Sequence, residues 1–391
     1  MRAVVLGAGL SGEAAASLLR REGCAVDVLD GAAPFPGDVG YDLAVASPGI
    51  PLDHRWQKEC RARGVKVVSE LQLGWERWRA MGGRALAVTG SKGKSSVVKL
   101  VADALGGVPC GNYGRPVCDV VNSQFPILNS QFPILVVEVS SFQMETTDDF
   151  RPAAAVLLNL QEDHLDRHGT KEVYHALKCK LLACAERALD CSSWTAADVP
   201  ADARSLVAGS YFDNDVLAVN GAAAVWLLRE AGLADAEIAA AFAAFEPLPH
   251  RMQTVCERGG VRFIDDSKAT SLAALAAGVR MAARPVRLIA GGLGKGDDKF
   301  SVIPCLQSTT KKVYLIGRCA SQLYDAWHLA VPCEMCGTLE VAVEAASRDA
   351  RSGEAVLLSP GAASFDQFES FGARGDRFAA LVRKESEKNE R

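Results

Sequence analysis

Between Val88 and Ser96 the chain reads Val-Thr-Gly-Ser-Lys-Gly-Lys-Ser-Ser, an apolar strand end that passes through two glycines into a helix start. Few folds accommodate that order. The glycines let the backbone curl so that successive N–H groups, including those at the start of the helix, converge on one anion. Thr89, Gly90, Ser91, Lys92, Gly93, Lys94, Ser95 and Ser96 are therefore candidates for binding the phosphates of ATP, with Lys94 as a point charge on the outer phosphates and Ser95 as a Mg²⁺ ligand. Two residues separate the glycines where the common phosphate loop has four, so the shorter Thr-Gly-x-x-Gly-Lys-Ser form has to stand by itself. A plain glycine turn with a surface lysine fits less well, given the apolar run Ala85–Val88 before it and the helical run Val97–Val101 after it.

A chain of 391 residues exceeds what one core usually organises, so two or three domains are expected. A net charge of −4 gives no electrostatic ground for nucleic acid or an anionic membrane as partner, which leaves a small molecule. No apolar stretch is long enough to span a bilayer, and Met1-Arg2-Ala3-Val4-Val5-Leu6 runs directly into a strand rather than a signal peptide. A cytoplasmic protein without membrane insertion is expected. The twelve cysteines lie scattered in apolar contexts, as small buried hydrophobes do, and Cys333-Glu334-Met335-Cys336 has no second pair at zinc spacing.

Short apolar runs (Ala3–Leu6, Ala25–Leu29, Leu43–Ala46, Val65–Val68) alternate with helix-length segments through residues 1–81, the signature of a parallel sheet wrapped by helices. Gly7-Ala8-Gly9-Leu10-Ser11-Gly12 after the first run, with Asp30 after the second, resembles a dinucleotide-binding fingerprint; alone it serves any phosphate-bearing ligand. Met81-Gly82-Gly83 reads as a linker into a second α/β domain, and the prolines in Glu246-Pro247-Leu248-Pro249 interrupt an alanine-rich helix before a third. There strands at 261–264, 286–290, 313–316 and 355–358 alternate with helices. The expected architecture is α/β with three domains: a Rossmann-like domain over 1–81, a phosphate-loop ATPase-like domain over 82–248 and a second Rossmann-like domain over 249–391. Asn122–Leu128 is repeated at once as Asn129–Leu135, and only one copy can feed the strand that follows; the other is expected as extra loop.

Glu138 ends an apolar strand and can hold Mg²⁺ opposite the phosphate loop, since a buried acid without a partner is costly. One strand later, Asn159-Leu160-Gln161-Glu162-Asp163-His164-Leu165-Asp166 puts an imidazole at the same sheet edge, which makes His164 the candidate for a second metal ligand. Lys178 lies on a helix, where a lysine is ordinarily solvated. In the last third, His250-Arg251, Asp265-Asp266-Ser267-Lys268-Ala269-Thr270, Gly291–Gly296 with Lys295, and Ser359–Phe368 each follow a linker or a strand, where α/β folds bind ligands.

As an ordered set, these motifs resemble the Mur ligase superfamily of ATP-dependent amide-forming enzymes, and within it the branch that joins D-glutamate to UDP-N-acetylmuramoyl-L-alanine in peptidoglycan precursor synthesis. The resemblance runs from Gly9-Leu10-Ser11-Gly12 and Ala46-Ser47-Pro48-Gly49 through the phosphate loop, Gly111-Asn112-Tyr113-Gly114 and Glu138–Gln143 to Ser359–Phe368. It implies that the substrate carboxylate takes the γ-phosphoryl of ATP and that the amine of D-glutamate displaces phosphate from the resulting acyl phosphate. It also implies two Mg²⁺ ions held by Ser95, Glu138, His164 and Lys178, with Lys178 carbamylated by CO₂ into an anion. Lys94, His164, Lys178, Asp266 and Lys268 become the catalytic set, and Asn220, Arg251, Asp266 and Lys268 join the phosphate loop around ATP. Leu10, Ser11, Asp30, Ser47, Gly49, Asn112 and His164 become contacts of the UDP substrate. Thr270, Lys295, Ser364, Phe365 and Phe371 become contacts of D-glutamate. A monomer is expected.

The sequence departs from the pattern in three places. The stretch from Lys178 to Asn220 is short, Asp265 stands where asparagine is usual, and the histidine-asparagine pair before Asn220 is absent. A folate-type ligase of the same superfamily would lack residues 1–81 as a UDP domain, and a sister Mur ligase would lack the Ser-Phe-Asp-Gln-Phe segment. An NAD-binding or regulatory phosphate-loop protein would leave His164, Lys178 and the motifs of the last third without a role.

Overall fold

A computed structural model describes residues 1–37, 39–123, 134–294 and 296–389, and the chain divides into two compact units, Met1–Phe245 and Glu246–Arg391. Most of the tandem repeat, residues 124–133, falls outside the described residues, as does Lys295.

The first unit holds two sheets. One has the order β2-β1-β3-β4, from β1 (Arg2–Leu6), β2 (Ala25–Leu29), β3 (Leu43–Ala46) and β4 (Lys66–Ser69), all parallel. The other has the order β6-β7-β5-β8-β9, again parallel, from β5 (Ala85–Thr89), β6 (Val108–Gly111), β7 (Leu135–Glu138), β8 (Ala154–Leu157) and β9 (Arg187–Asp190). The strands β5, β7 and β8 are buried at every position, as apolar strands covered by helices on both faces must be. Parallel pairing brings the ends of β5, β7 and β8 to one edge of the sheet, so the phosphate loop, Glu138 and Asn159 emerge side by side.

The two sheets share one continuous core. Helix Glu70–Ala80 contributes Leu71, Leu73, Trp75 and Trp78, and helix Val117–Asn122 adds Val117, Val120 and Val121; both lie in the cluster that includes Val5 of β1 and Ala87 of β5. Apolar burial across Met81-Gly82-Gly83 thus joins what the linker composition suggested were separate bodies.

Where these helices meet, the carboxyl of Glu70 is buried and accepts the backbone N–H of Cys118 at 2.6 Å. Burial raises its pKa to about 7, against the hydrogen bonds that favour the anion. The folded state therefore holds the proton more tightly than the unfolded chain, and stability is expected to fall as pH rises from about 5 to 8, by on the order of 3 kcal/mol for this one group. Glu70→Gln keeps the acceptor and removes the titration. Thermal unfolding of the variant across that range should show a shallower decline than the parent; parallel curves would mean that the carboxyl ionises without penalty.

The second unit is built on β10 (Gln253–Arg258), β11 (Val261–Asp265), β12 (Val286–Gly291), β13 (Thr310–Ile316), β14 (Cys333–Gly337) and β15 (Ala355–Leu358), in the order β10-β11-β15-β12-β13-β14. Only β10 runs antiparallel to its neighbour. The four strands expected here are present, and β10 and β14 join them as the two edges. Both edges carry mixed, partly exposed residues (Gln-Thr-Val-Cys-Glu-Arg and Cys-Glu-Met-Cys-Gly), so neither leaves an apolar run to read.

Candidate functional site

The phosphate loop begins where β5 ends and is tied down on every side. Thr89 Oγ1 donates to Val139 O at 2.9 Å, Ser91 N to Asn159 O at 3.0 Å, and Lys92 N to Asn159 Oδ1 at 2.9 Å. Ser91 Oγ donates to Gln161 O and accepts from Gln161 N and from the Tyr174 hydroxyl, which saturates it. Its side chain thus holds the loop, and only its backbone is left for a ligand. Gly93 caps helix Lys94–Leu105 at φ 86°, and a β-carbon there would collide with Asn220 Nδ2, so the loop tolerates only glycine at this point. Asn220 thereby packs under the loop. Lys94 Nζ folds back onto Gly90 O at 2.9 Å and Ser91 O at 3.3 Å, over the positive end of its own helix.

Glu138 and Lys178 stand beside this loop. Glu138 is 3% exposed; Oε1 accepts from Asn112 Nδ2 at 2.7 Å, and Oε2 is buried without a hydrogen-bond partner. A buried carboxylate oxygen left unpaired costs free energy unless a cation meets it, so this atom fits a metal ligand. The same contact occupies the amide of Asn112, which the resemblance assigns to the UDP substrate. Lys178 is 2% exposed, with Nζ 2.9 Å from Gly90 O and 4.7 Å from the centre of the Tyr174 ring. Burial, followed by the charge of Lys94, lowers its pKa to about 7, although Asp163 and Glu138 oppose the shift. Much of the amine is then neutral near pH 7, the form that reacts with CO₂. No group of three or more His, Cys, Asp or Glu side chains at ligand spacing occurs among the described residues. Of the predicted metal ligands, Glu138 and Lys178 lie beside the phosphate loop, whose helix start carries Ser95.

His164 begins helix Leu165–His168 at φ 53°, its side chain 47% exposed, with its ring 4.8 Å from that of Phe142. Its neighbour Asp163 pairs with Lys92 at 3.1 Å, which joins this turn to the phosphate loop.

After β1 and β3, at the point where the strand order of the first sheet reverses, Ser47 Oγ donates to Gly7 O at 3.0 Å. A β-carbon on Gly12 would strike Gly7 O, so this turn also requires glycine. Leu10 is exposed on the helix start, Ser11 and Ser47 are half-buried, and Gly49 and Asp30 are exposed. Asp30 Oδ1 accepts weakly from Ala8 N at 3.4 Å.

In the second unit Asp265 ends β11 and Asp266 follows it. His250 Nδ1 lies 2.7 Å from Asp265 Oδ2, so aspartate at this position gives the imidazole a hydrogen-bond partner. Asp266 accepts from Ser359 Oγ at 2.8 Å and Met252 N at 3.3 Å, and burial raises its pKa to about 7. Lys268 Nζ sits 3.7 Å over the Phe371 ring. Thr270 and Arg251 are half-buried, Ser364 is buried and Phe365 is exposed. Arg374, which no motif singled out, is buried and binds Ser267 Oγ, Ser267 O and Ala362 O, tying the loops after β11 and β15 together. A cavity of about 170 Å³ opens nearby, bounded by Leu272, Leu293, Gly294, Arg318 and Ala362.

Sequence reasoning gave no role of their own to Asn159, Tyr174 and Arg374. Tyr174 had one signal: it lies four residues before Lys178 on the same helix and so shares its face.

Family models for the Mur ligase middle domain and for the Mur ligase, glutamate ligase domain match residues 88–189 and 250–361. The UDP-N-acetylmuramoylalanine--D-glutamate ligase of Nitratidesulfovibrio vulgaris is 35% identical over 420 residues, covering 97% of this chain and 95% of the relative. That of Gloeobacter violaceus is 35% identical, covering 97% and 98%, and that of Frankia casuarinae 36%, covering 97% and 93%. Among solved structures, the UDP-N-acetylmuramate-alanine ligase of Thermotoga maritima shares the fold at a TM-score of 0.58 and 14% identity, covering 98% of this chain and 100% of that one. The MurF ligase of Thermotoga maritima in complex with ADP does so at 0.58 and 17%, covering 90% of each.

Proposed function

The chain belongs to the Mur ligase family, and from that premise we propose that it joins D-glutamate to UDP-N-acetylmuramoyl-L-alanine, with ATP converted to ADP and phosphate. The observation that carries the chemistry is the phosphate loop flanked by the unpaired Glu138 oxygen and the buried amine of Lys178. Full-length similarity to D-glutamate ligases carries the choice of substrates.

A carboxylate is a poor electrophile. Transfer of the γ-phosphoryl to it forms an acyl phosphate, and attack by the D-glutamate amine forms the C–N bond as phosphate leaves. The loop N–H groups and Lys94 orient the phosphates of ATP, and Lys94 balances charge on the transferring group. Glu138, Ser95, His164 and Lys178 are the residues that would hold Mg²⁺, which would supply neutralisation of phosphate charge. Lys178, carbamylated, contributes an anion in place of a cation. Asn220, Arg251, Asp266 and Lys268 serve ATP; Leu10, Ser11, Asp30, Ser47 and Gly49 serve the UDP moiety; Thr270, Lys295, Ser364, Phe365 and Phe371 serve D-glutamate. On this reading the ranges 1–81, 82–248 and 249–391 are functional divisions for UDP substrate, ATP and amino acid, in a cytoplasmic monomer. No helix of the described residues is long and apolar enough to cross a membrane.

Phosphate release from ATP and Mg²⁺ with UDP-N-acetylmuramoyl-L-alanine tests this, comparing D-glutamate, L-glutamate, D-alanine and no amino acid. Release that depends on D-glutamate and disappears in Lys94→Ala is the expected result. Release with another amino acid would keep the ligase chemistry and discard the substrate.

A further inference from the structure

Arg167 belongs to none of the motifs read from the sequence, yet its guanidinium is hydrogen-bonded on two sides. It lies in helix Leu165–His168, three residues after His164. On one side its guanidinium donates to both oxygens of Glu145, from Nε at 3.0 Å and from Nη2 at 2.6 Å. On the other it donates to three consecutive backbone carbonyls, Pro48 at 3.2 Å, Gly49 at 3.3 Å and Ile50 at 3.1 Å. Those carbonyls belong to the turn after β3, closed by Ile50 N donating to Ser47 O at 2.9 Å. The pair is nearly dry, with side chains 14% and 5% exposed for Arg167 and Glu145.

Glu145 is fixed in turn. Its Oε1 lies 3.3 Å from His168 Nδ1, and His168 Nε2 shares a 3.0 Å hydrogen bond with Ser141 Oγ, three residues after Glu138. The Phe142 ring lies 5.1 Å from the guanidinium, closing its face. One side chain therefore connects three segments: the turn that bears Ser47 and Gly49, the turn that bears His164, and Glu145 at the end of the short helix Ser141–Met144. A buried ion pair is an inefficient way merely to hold segments together, because desolvation offsets most of its Coulombic gain. Its strength is geometry: the planar guanidinium holds the carboxylate through Nε and Nη2 and turns Nη1 and Nη2 to the three carbonyls, with Nη2 shared among Glu145, Pro48 and Ile50.

We infer that Arg167 is a positioning residue for the nucleotide substrate, setting the Ser47–Ile50 turn at the height at which that turn receives the UDP moiety. The inference rests on the proposed substrate. Arg167→Lys keeps the charge but cannot meet two carboxylate oxygens and three carbonyls at once. The variant should raise KM for UDP-N-acetylmuramoyl-L-alanine by about tenfold, with kcat and KM for ATP within about twofold of the parent, since only ground-state binding of that substrate depends on the turn. Glu145→Gln, which preserves the packing and weakens the anchor, should show the same split at smaller size, and answers the question if the lysine variant does not fold.

Unchanged KM in both variants overturns the inference. So does a uniform loss of kcat and of affinity for both substrates, since that is what general loosening produces. If the parent chain shows no ligation, the proposed reaction falls first, and titration calorimetry with UDP alone then decides the role of Arg167: weaker UDP binding in Arg167→Lys with unaltered binding of a non-hydrolysable ATP analogue supports it, and equal UDP binding overturns it.

Discussion

Replacing Lys178 with methionine is expected to reduce ligation by about a thousandfold while leaving the chain folded. The side chains have similar length, and the site that Lys178 fills is closed to water with the Tyr174 ring beside it, so methionine can occupy it. What disappears is a nitrogen 2.9 Å from the Gly90 carbonyl, at the base of the phosphate loop. With a pKa lowered to about 7, that nitrogen is substantially unprotonated at neutral pH. Its lone pair can attack CO₂, forming an N–C bond and losing one proton, and the product carries a negative charge where a cation stood. Stability separates loss of chemistry from loss of fold. A lysine whose folded pKa is depressed from 10.5 to about 7 weakens the folded state below pH 7, and this penalty vanishes as pH rises above 10.5. Methionine removes it, so the variant should melt at or above the parent temperature at pH 6. Labelled bicarbonate should give the parent, and not the variant, a carbamate carbon signal. A methionine variant that keeps a tenth of the parent rate would remove Lys178 from the site.

Lys178 also marks where the sequence stops being legible. The phosphate loop could be read because its constraint is local: glycines at 90 and 93 between an apolar strand and a helix require a turn that binds an anion, and Gly93 does adopt positive φ there. Glu138 could be read as an acid at the end of a buried strand. The burial of Lys178 cannot be read in that way, since helix Lys171–Cys184 carries other lysines in the same local context, and only packing against Gly90 and Tyr174 distinguishes this one. Arg167 was invisible for a similar reason: its partners Pro48, Gly49, Ile50 and Glu145 are distant in sequence and three of them are carbonyls, which every residue possesses. The edge strands β10 and β14 were missed because an edge needs little apolar surface. The shared core of the first two sheets was missed because glycines at 82 and 83 signal flexibility of the backbone and say nothing of the tryptophans at 75 and 78 that lie in that core.

The second large effect is expected from Glu138→Gln, where stability and activity should move in opposite directions. Glutamine can keep the bond from Asn112 Nδ2 through its carbonyl oxygen. It replaces the other carboxylate oxygen, now buried and unpaired, with a neutral amide nitrogen. A buried oxygen without a hydrogen-bond partner costs about 1–3 kcal/mol, so without Mg²⁺ and nucleotide the variant should unfold at a temperature equal to or above the parent's. Ligation should nevertheless fall by about a hundredfold at a Mg²⁺ concentration that saturates the parent, and part of the loss should return as Mg²⁺ is raised. Linkage gives a third readout independent of turnover: Mg²⁺ with a non-hydrolysable ATP analogue should raise the melting temperature of the parent more than that of the variant, because a ligand stabilises only the state that binds it. A variant that is less stable than the parent without metal would assign Glu138 to the fold. Equal stabilisation of both by Mg²⁺ would place the metal on other ligands. The expected pattern, a more stable chain that has lost its reaction, is what an unpaired oxygen kept for a cation predicts.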